Sequence, residues 1–286
     1  MIERITPLIL TYNEAPNIGR TLEQLRWARD IVVVDSFSDD ETLLIVSGFP
    51  QARVLQRKFD SFAGQSNFGL REAGITSEWV LSLDADYVLT PEMIEELASL
   101  KPDREYDGYR ARFAYCINGR RLRCGVYPPV TVLFRHSKAS YSDDGHAHRV
   151  VMDGSIANLK SLVLHDDRKP LSRWFESQQR YMALEAKKIL ASEPGSLGGA
   201  DRIRRWRVVA PLAVLFYCLV VRGGVLDGWP GFYYAFQRML AELLLSLYLI
   251  ESDFNAATET RRHRELHNPA RSVHEPLVSN QKADGN

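Results

Sequence analysis

An excess of charge of one sign is what this 286-residue sequence lacks, since Lys+Arg and Asp+Glu both number 36. That balance gives no general electrostatic case for a nucleic-acid partner, so only local asymmetry of charge is informative. Cysteine is scarce, with Cys116, Cys124 and Cys218 the only three. The first two flank Asn118-Gly119, a type I′ hairpin signal that sets Cys116 opposite Arg121 and Cys124 opposite Phe113, so no disulfide is expected between them. Their number and spacing are not those of a structural zinc site either. No internal repeat is present. A run long enough to cross a bilayer is also missing: the uncharged stretch 208–221 has 14 residues, which as a helix spans ~21 Å against ~30 Å of hydrocarbon. Met1-Ile2-Glu3-Arg4-Ile5-Thr6-Pro7 carries an early acid and no apolar core of a signal peptide, so the expected setting is the cytosol or its membrane face.

What is present reads as an ordinary globular chain, 45% apolar and 25% charged. At ~150 residues per domain the length suggests one large domain and an appendage. Residues 5–10 form a short apolar run ending in Thr11-Tyr12-Asn13-Glu14. Ile31-Val32-Val33-Val34 is a β-branched run of the buried-strand type and ends on Asp35. Residues 52–55 read as a third strand and 79–83 as a fourth, with helical spacing at 18–25, from 43, and at 62–73. This alternation is that of a mostly parallel sheet flanked by helices. The fourth strand runs into Asp84-Ala85-Asp86, and Thr90 with Pro91 offers an N-cap and first helical residue directly after it. In an open α/β sheet ligands bind at the carboxyl ends of the strands. Two carboxylates there suit Mg²⁺ or Mn²⁺, which takes its remaining ligands from water and substrate phosphates.

Leu8-Ile9-Leu10-Thr11-Tyr12-Asn13-Glu14, Val33-Val34-Asp35 with Ser38, Asp40 and Thr42 behind it, and Asp84-Ala85-Asp86, in that order, resemble glycosyltransferase family 2. Phe59 to Asn67, with Phe62, Ala63 and Gln65 between, resembles the bacterial branch that includes lipopolysaccharide inner-core glucosyltransferases. The resemblance implies an α/β GT-A fold, a Rossmann-like sheet that binds a nucleotide-sugar, over 1–168. It further implies that Thr11, Asn13 and Glu14 line the nucleotide pocket, that Asp35 meets base or ribose, and that Gln65 and Asn67 belong to the same sheet edge. Asp84 is then expected against the ribose or a metal-bound water, and Asp86 on the metal. Ser36 stands where many relatives have a second acid, and Tyr87 where this branch often has one after Asp-x-Asp. UDP is the expected nucleotide.

A second polar cluster lies at Ser142-Asp143-Asp144-Gly145-His146-Ala147-His148. An inverting glycosyl transfer needs a base within hydrogen-bond reach of the acceptor hydroxyl. Asp143-Asp144 stands where many relatives have an acidic pair whose second member is the base, so the resemblance implies Asp144 as the base, with Asp143 and His146 beside it and His148 a candidate third metal ligand. The last third is helical: 171–191, the Arg-rich 201–207 leading into 208–221, and 232–250. Arginines before a short apolar run suit a segment lying in an anionic membrane face. The expected organisation is therefore a catalytic domain at 1–168, a membrane-associating helical region at 169–254 and a disordered tail at 255–286. The expected activity is inverting, metal-dependent transfer to a lipid-linked saccharide or lipopolysaccharide-core acceptor at the cytoplasmic face of the inner membrane, peripheral or monotopic. A nucleotidyltransferase is the chief alternative, although residues 11–19 are not its Gly-rich phosphate loop. A non-catalytic membrane-bound module that binds a nucleotide-sugar is the other.

Overall fold

The computed structural model describes residues 1–101, 105–144, 147–193, 195 and 198–267, with backbone alone at 144, 147, 148, 200 and 260–267. The β-branched run becomes β2 (Ile31–Asp35), buried at every position. Parallel to it lie β1 (Ile5–Thr11) and β3 (Ala52–Gln56), and β4 (Trp79–Asp84) pairs with the far side of β1. Helices α1 (Ile18–Glu23), α2 (Thr42–Ser47) and α3 (Phe62–Glu72) make the crossovers. Alternate residues of these strands feed two cores. Ile9, Val33, Leu81 and Leu83 pack with Ile18 and Leu22 of α1 on one face; Leu8, Val32, Val34 and Val80 pack with Ala63 and Leu70 of α3 on the other. Gly69 lets α3 approach this closely, because a Cβ there would lie 2.6 Å from Leu8 Cδ1.

Beyond β4 the sheet turns mixed. β5 (Tyr87–Leu89) and α4 (Pro91–Ser99) follow, and Thr90 Oγ1 accepts from Met93 N to cap α4 as its sequence predicts. Next come β6 (Gly108–Ile117), β7 (Arg120–Arg121), β8 (Val130–Arg135), β9 (Ala139–Asp144), β10 (Ala147–Met152) and β11 (Ile156–His165). The main sheet runs β3-β2-β1-β4-β8-β6-β11-β5, with β7 paired to β6, while β9 and β10 form a separate hairpin. Asn118 and Gly119 both have positive φ, 49° and 80°, and Cys116 does pair with Arg121. All three cysteines are free and buried. Asp84-Ala85-Asp86 joins central β4 to edge strand β5, four places along the path, so the sheet curls around this tripeptide.

The C-terminal helices are α5 (Leu171–Ala191), α6 (Gly199–Arg204), α7 (Val209–Phe216) and α8 (Trp229–His267), and a single π turn at Tyr217–Val221 extends α7. Met182, Ala186 and Ile189 of α5 pack on Ala241, Leu245 and Leu249 of α8. The helical region is tied to the sheet-bearing part of the chain. Asp227 accepts from the backbone N–H of Arg123 and Cys124 at 2.8 and 3.1 Å, and Tyr234 Oη accepts from Val126 N at 2.9 Å. Arg204 is not a surface charge: it reaches both oxygens of Glu242 (nearest 2.8 Å) and Asp201 at 2.9 Å. Helix α8 continues to His267, so 255–267 is helix where disorder was expected; residues 268–286 of that expected tail lie outside the described residues. The polar composition there hides good helix formers, Ala256, Ala257, Glu259 and Arg261, with no Gly or Pro before Pro269.

Candidate active site

The strand registers bring the expected residues to one edge. Thr11 is partnered with Asp35, Asp35 with Gln56, and Leu10 with Asp84, so the carboxyl ends of β1, β2, β3 and β4 lie side by side. Asp35 is fully buried and anchors the turn after β2. Its carboxylate accepts from Thr11 Oγ1 at 2.9 Å, Ser38 N at 2.9 Å, Ser38 Oγ and Gln56 Nε2 at 3.3 Å. That turn places Phe37 at φ 61° and leaves its ring half exposed. A bulky residue in the left-handed region is strained, and such strain concentrates where a loop is held for function. Asn13 is also left-handed, at φ 54°, a conformation its short amide tolerates. Its amide exchanges two hydrogen bonds with Asp39, at 2.7 and 2.9 Å, and so locks the β1 loop to the β2 loop.

Glu14 is held differently. It accepts from Asn17 Nδ2 at 2.8 Å and from Lys169 Nζ at 2.6 Å, and Asn17 also donates to Asp167 at 2.8 Å. Burial pushes the Glu14 carboxyl up, to about 7, against the lowering effect of Lys169 and its hydrogen bonds. Gln65 and Asn67 serve the frame. Gln65 is buried and donates to Ser36 Oγ at 2.7 Å and Arg57 O at 2.9 Å, steadying the β2 loop. The Asn67 amide clamps the backbone of Tyr141, both bonds at 2.9 Å, and holds β9 on α3.

At the Asp-x-Asp turn, Asp86 meets a residue whose role is not legible from spacing. His165, the last residue of β11, lies with Nε2 3.1 Å from Asp86 Oδ2. Both side chains are largely buried, and Asp86 Oδ1 and His165 Nδ1 are buried with no hydrogen-bond partner among the described residues. Burial alone would raise the Asp86 carboxyl, but His165 and Lys169 hold it below the usual carboxylate range. Burial would likewise lower the His165 imidazole, and Asp86 raises it. Tyr87, Tyr115 and Tyr127 wall the histidine, with ring centroids 5.4, 4.8 and 4.9 Å from it. Tyr87 is thus an aromatic wall bonded to Tyr127 at the position where an acid was a family possibility. A carboxylate oxygen and an imidazole nitrogen aimed together, with an orphaned oxygen on the carboxylate, fit a divalent cation that completes its shell from water and phosphate. Among the described residues no larger cluster of His, Cys, Asp and Glu forms a metal cage.

The second polar cluster is described in part. Asp143 Oδ1 accepts from Ala63 N at 3.2 Å, at the start of α3 and hence at the carboxyl edge of the sheet. His146 lies outside the described residues, as do the side chains of Asp144 and His148. The structure brings His165 to the partner place for Asp86. Lys169 was also missed: it stands 155 residues from Glu14 in the chain, and an isolated lysine near a strand end carries no sequence signal.

A curled, mostly parallel sheet with acids and turn-locked polar loops along its carboxyl edge defines a nucleotide-type α/β enzyme site. Residues 8–141 match the family model described as Glycosyl transferase family 2. The chain is similar to an uncharacterized glycosyltransferase of Rickettsia bellii, 30% identical over 91% of this chain and 92% of the relative. It is also similar to the lipopolysaccharide core biosynthesis glycosyltransferase LpsC of Rhizobium meliloti, at 25% identity over 81% and 89% of the two chains. Among solved structures it is similar to residues 1–349 of S. aureus TarS in complex with UDP-GlcNAc, with TM-score 0.45 and 16% identity over 88% and 92% of the chains. The chain belongs to glycosyltransferase family 2, and it is a glycosyltransferase.

Proposed function

We propose that this enzyme moves a sugar, with inversion, from a UDP-sugar to a lipid-linked saccharide of the lipopolysaccharide-core type at an anionic membrane face. The observation that carries the donor half is the buried Asp86–His165 pair at the strand ends beside the turn-locked loops of Thr11, Asn13 and Asp35. Asp86 and His165 would hold Mg²⁺ or Mn²⁺, with Asp84 close by at the end of β4. A cation bound there supplies neutralisation of the diphosphate as it leaves. Lys169 adds a fixed positive charge to the same edge, and the tyrosines exclude water from the histidine. Asp144 takes the acceptor proton; Asp143, engaged in capping α3, is less free to do so. A thermal-shift screen of UDP-, GDP- and dTDP-sugars with Mn²⁺ tests the donor, since a bound ligand stabilises the fold. A UDP-sugar is expected to give the largest shift, and a response to GDP- or dTDP-sugars alone removes the uridine assignment.

The membrane half rests on an apolar face. Val209, Leu212, Phe216 and Val220 recur at helical spacing along α7 and its π turn, all exposed, and Val225, Leu226 and Trp229 continue the patch, Trp229 84% exposed. No helix among the described residues is long and apolar enough to cross a membrane. Arg202 and Arg222 are exposed beside this face, whereas Arg204 is spent on Glu242 and Arg207 pairs with Asp253 at 2.6 Å. Each arginine near an anionic surface contributes about 1 kcal/mol, so insertion of apolar side chains supplies most of the attachment. Liposomes of mixed anionic and neutral lipid are expected to sediment the protein even in 0.5 M salt, and Leu226→Asp with Trp229→Asp to release it. Protein that stays in solution with both vesicle types, or that self-associates through this face, contradicts membrane attachment.

A further inference from the structure

One cavity lies outside the site described so far. It has a volume of about 410 Å³ and is lined by Phe113, Tyr115, Arg121, Arg123 and Arg222 among others. Three arginines lining one hollow bring like charges together, and the acid beside them offsets little. Asp227 is buried, accepts from two backbone N–H groups, and stands 4.0 Å from Arg123 Nε. Arg222 donates one N–H to Gly125 O at 3.1 Å. A guanidinium has five donors, so most of the donor capacity of this set faces water. Hydrogen bonds from arginine to a carboxylate or phosphate are about twice as strong as neutral ones and often bidentate.

Position gives the cavity its meaning. Tyr115 lines it and also lies 4.8 Å from the ring of His165, so the cavity adjoins the wall of the Asp86–His165 pair. On its other side Arg222 follows the exposed Val220 and Val221 of the apolar face. The arginines thus stand between the reacting end of the sheet and the surface assigned to the lipid. The segment that carries Arg121 and Arg123 is fixed: Cys116 pairs with Arg121, and a Cβ on Gly125 would lie 2.7 Å from Tyr115 Cβ.

We infer that this arginine-lined cavity binds an anionic group, a carboxylate or phosphate, on the saccharide part of the acceptor, and so sets which hydroxyl is offered to the donor. This rests on the reading of a membrane-borne saccharide acceptor. Both anionic lipid headgroups and an anionic sugar could satisfy the same guanidinium groups, and the cavity's contact with Tyr115 points to the sugar.

The test uses the full chain and de-acylated lipopolysaccharide core oligosaccharide with its phosphates and carboxylates intact, compared with the same oligosaccharide dephosphorylated and carboxyl-reduced. Binding is measured by calorimetry for the wild type, R121Q/R123Q and R121K/R123K. The wild type is expected to bind the anionic oligosaccharide at least ~10-fold more tightly than the neutral one, a preference that R121Q/R123Q loses and R121K/R123K partly keeps. Equal binding of the two oligosaccharides by the wild type, no binding of either, or an unchanged preference in R121Q/R123Q overturns the inference. UDP-sugar affinity and vesicle sedimentation are read on the same preparations. Loss of donor affinity in R121Q/R123Q places the arginines on the donor diphosphate, and loss of vesicle binding alone places them on lipid headgroups; either result overturns it. A wild type that binds the oligosaccharide but no UDP-sugar contradicts the donor assignment and leaves this inference standing.

Discussion

Asp86→Asn lowers sugar transfer by at least ~10³-fold while the protein keeps its fold: this is the expected result, and it separates a catalytic from a structural carboxylate. The substitution preserves the shape of a buried side chain and a hydrogen bond to His165, but removes the charge that a cation requires. A charge needed only to pair with His165 would show itself in stability, because breaking one half of a buried ion pair costs about 3–5 kcal/mol. Asp86 Oδ1 is buried with no hydrogen-bond partner among the described residues, which leaves that oxygen open to a ligand. Transfer assays and thermal unfolding are read on the same variant: turnover collapses while the protein still unfolds cooperatively, with a melting temperature lowered by the charge lost opposite His165. Metal-dependent turnover near the wild-type rate in Asp86→Asn removes the Asp-x-Asp turn from the mechanism.

The second large effect belongs to the base. Asp144→Asn is expected to lower turnover by ~10²- to 10⁴-fold with UDP-sugar affinity unchanged, because the lost function is proton removal from the acceptor and not donor binding. Asp143→Asn has a different expected signature. Its Oδ1 accepts from Ala63 N at the start of α3, a bond that the Asn carbonyl oxygen can also accept, so stability changes little and turnover stays comparatively intact. If Asp144→Asn turns over at a near-normal rate, the base is Asp143 or His146.

The parts of the fold set by local sequence were legible in it. The run Ile31-Val32-Val33-Val34 could only be a strand buried on both faces, and it is β2. Thr90-Pro91 started α4, and Asn118-Gly119 turned the β6–β7 hairpin, because cap and turn chemistry act within a few residues. The carboxyl-edge row of Thr11, Asp35 and Asp84 followed from strand ends alone. His165 was not legible as the partner of Asp86: the two are 79 residues apart, and only the curl of the sheet, which sets β11 against β5, brings them together. Nor could the fate of Arg204 be read. An arginine-rich stretch before an apolar run looks the same whether its charges meet lipid or a glutamate 38 residues later on another helix. Gln65 and Asn67 matched a family pattern by position, and their amides are occupied with Ser36, Arg57 and Tyr141, which makes them supports of the β2 loop and of β9.

The measurement that bears most directly on the whole account is the calorimetric titration of UDP-sugar into the wild type and His165→Ala, each with Mn²⁺ and with EDTA. The wild type is expected to bind at least ~10-fold more tightly with Mn²⁺ than with EDTA, since a cation that Asp86 and His165 would hold would supply charge to offset the diphosphate, and tenfold corresponds to about 1.4 kcal/mol. His165→Ala is expected to bind with the same affinity in both. An affinity of the wild type that is indifferent to Mn²⁺, or a metal dependence that survives in His165→Ala, contradicts the assignment of the Asp86–His165 pair as the metal-holding centre of this glycosyltransferase.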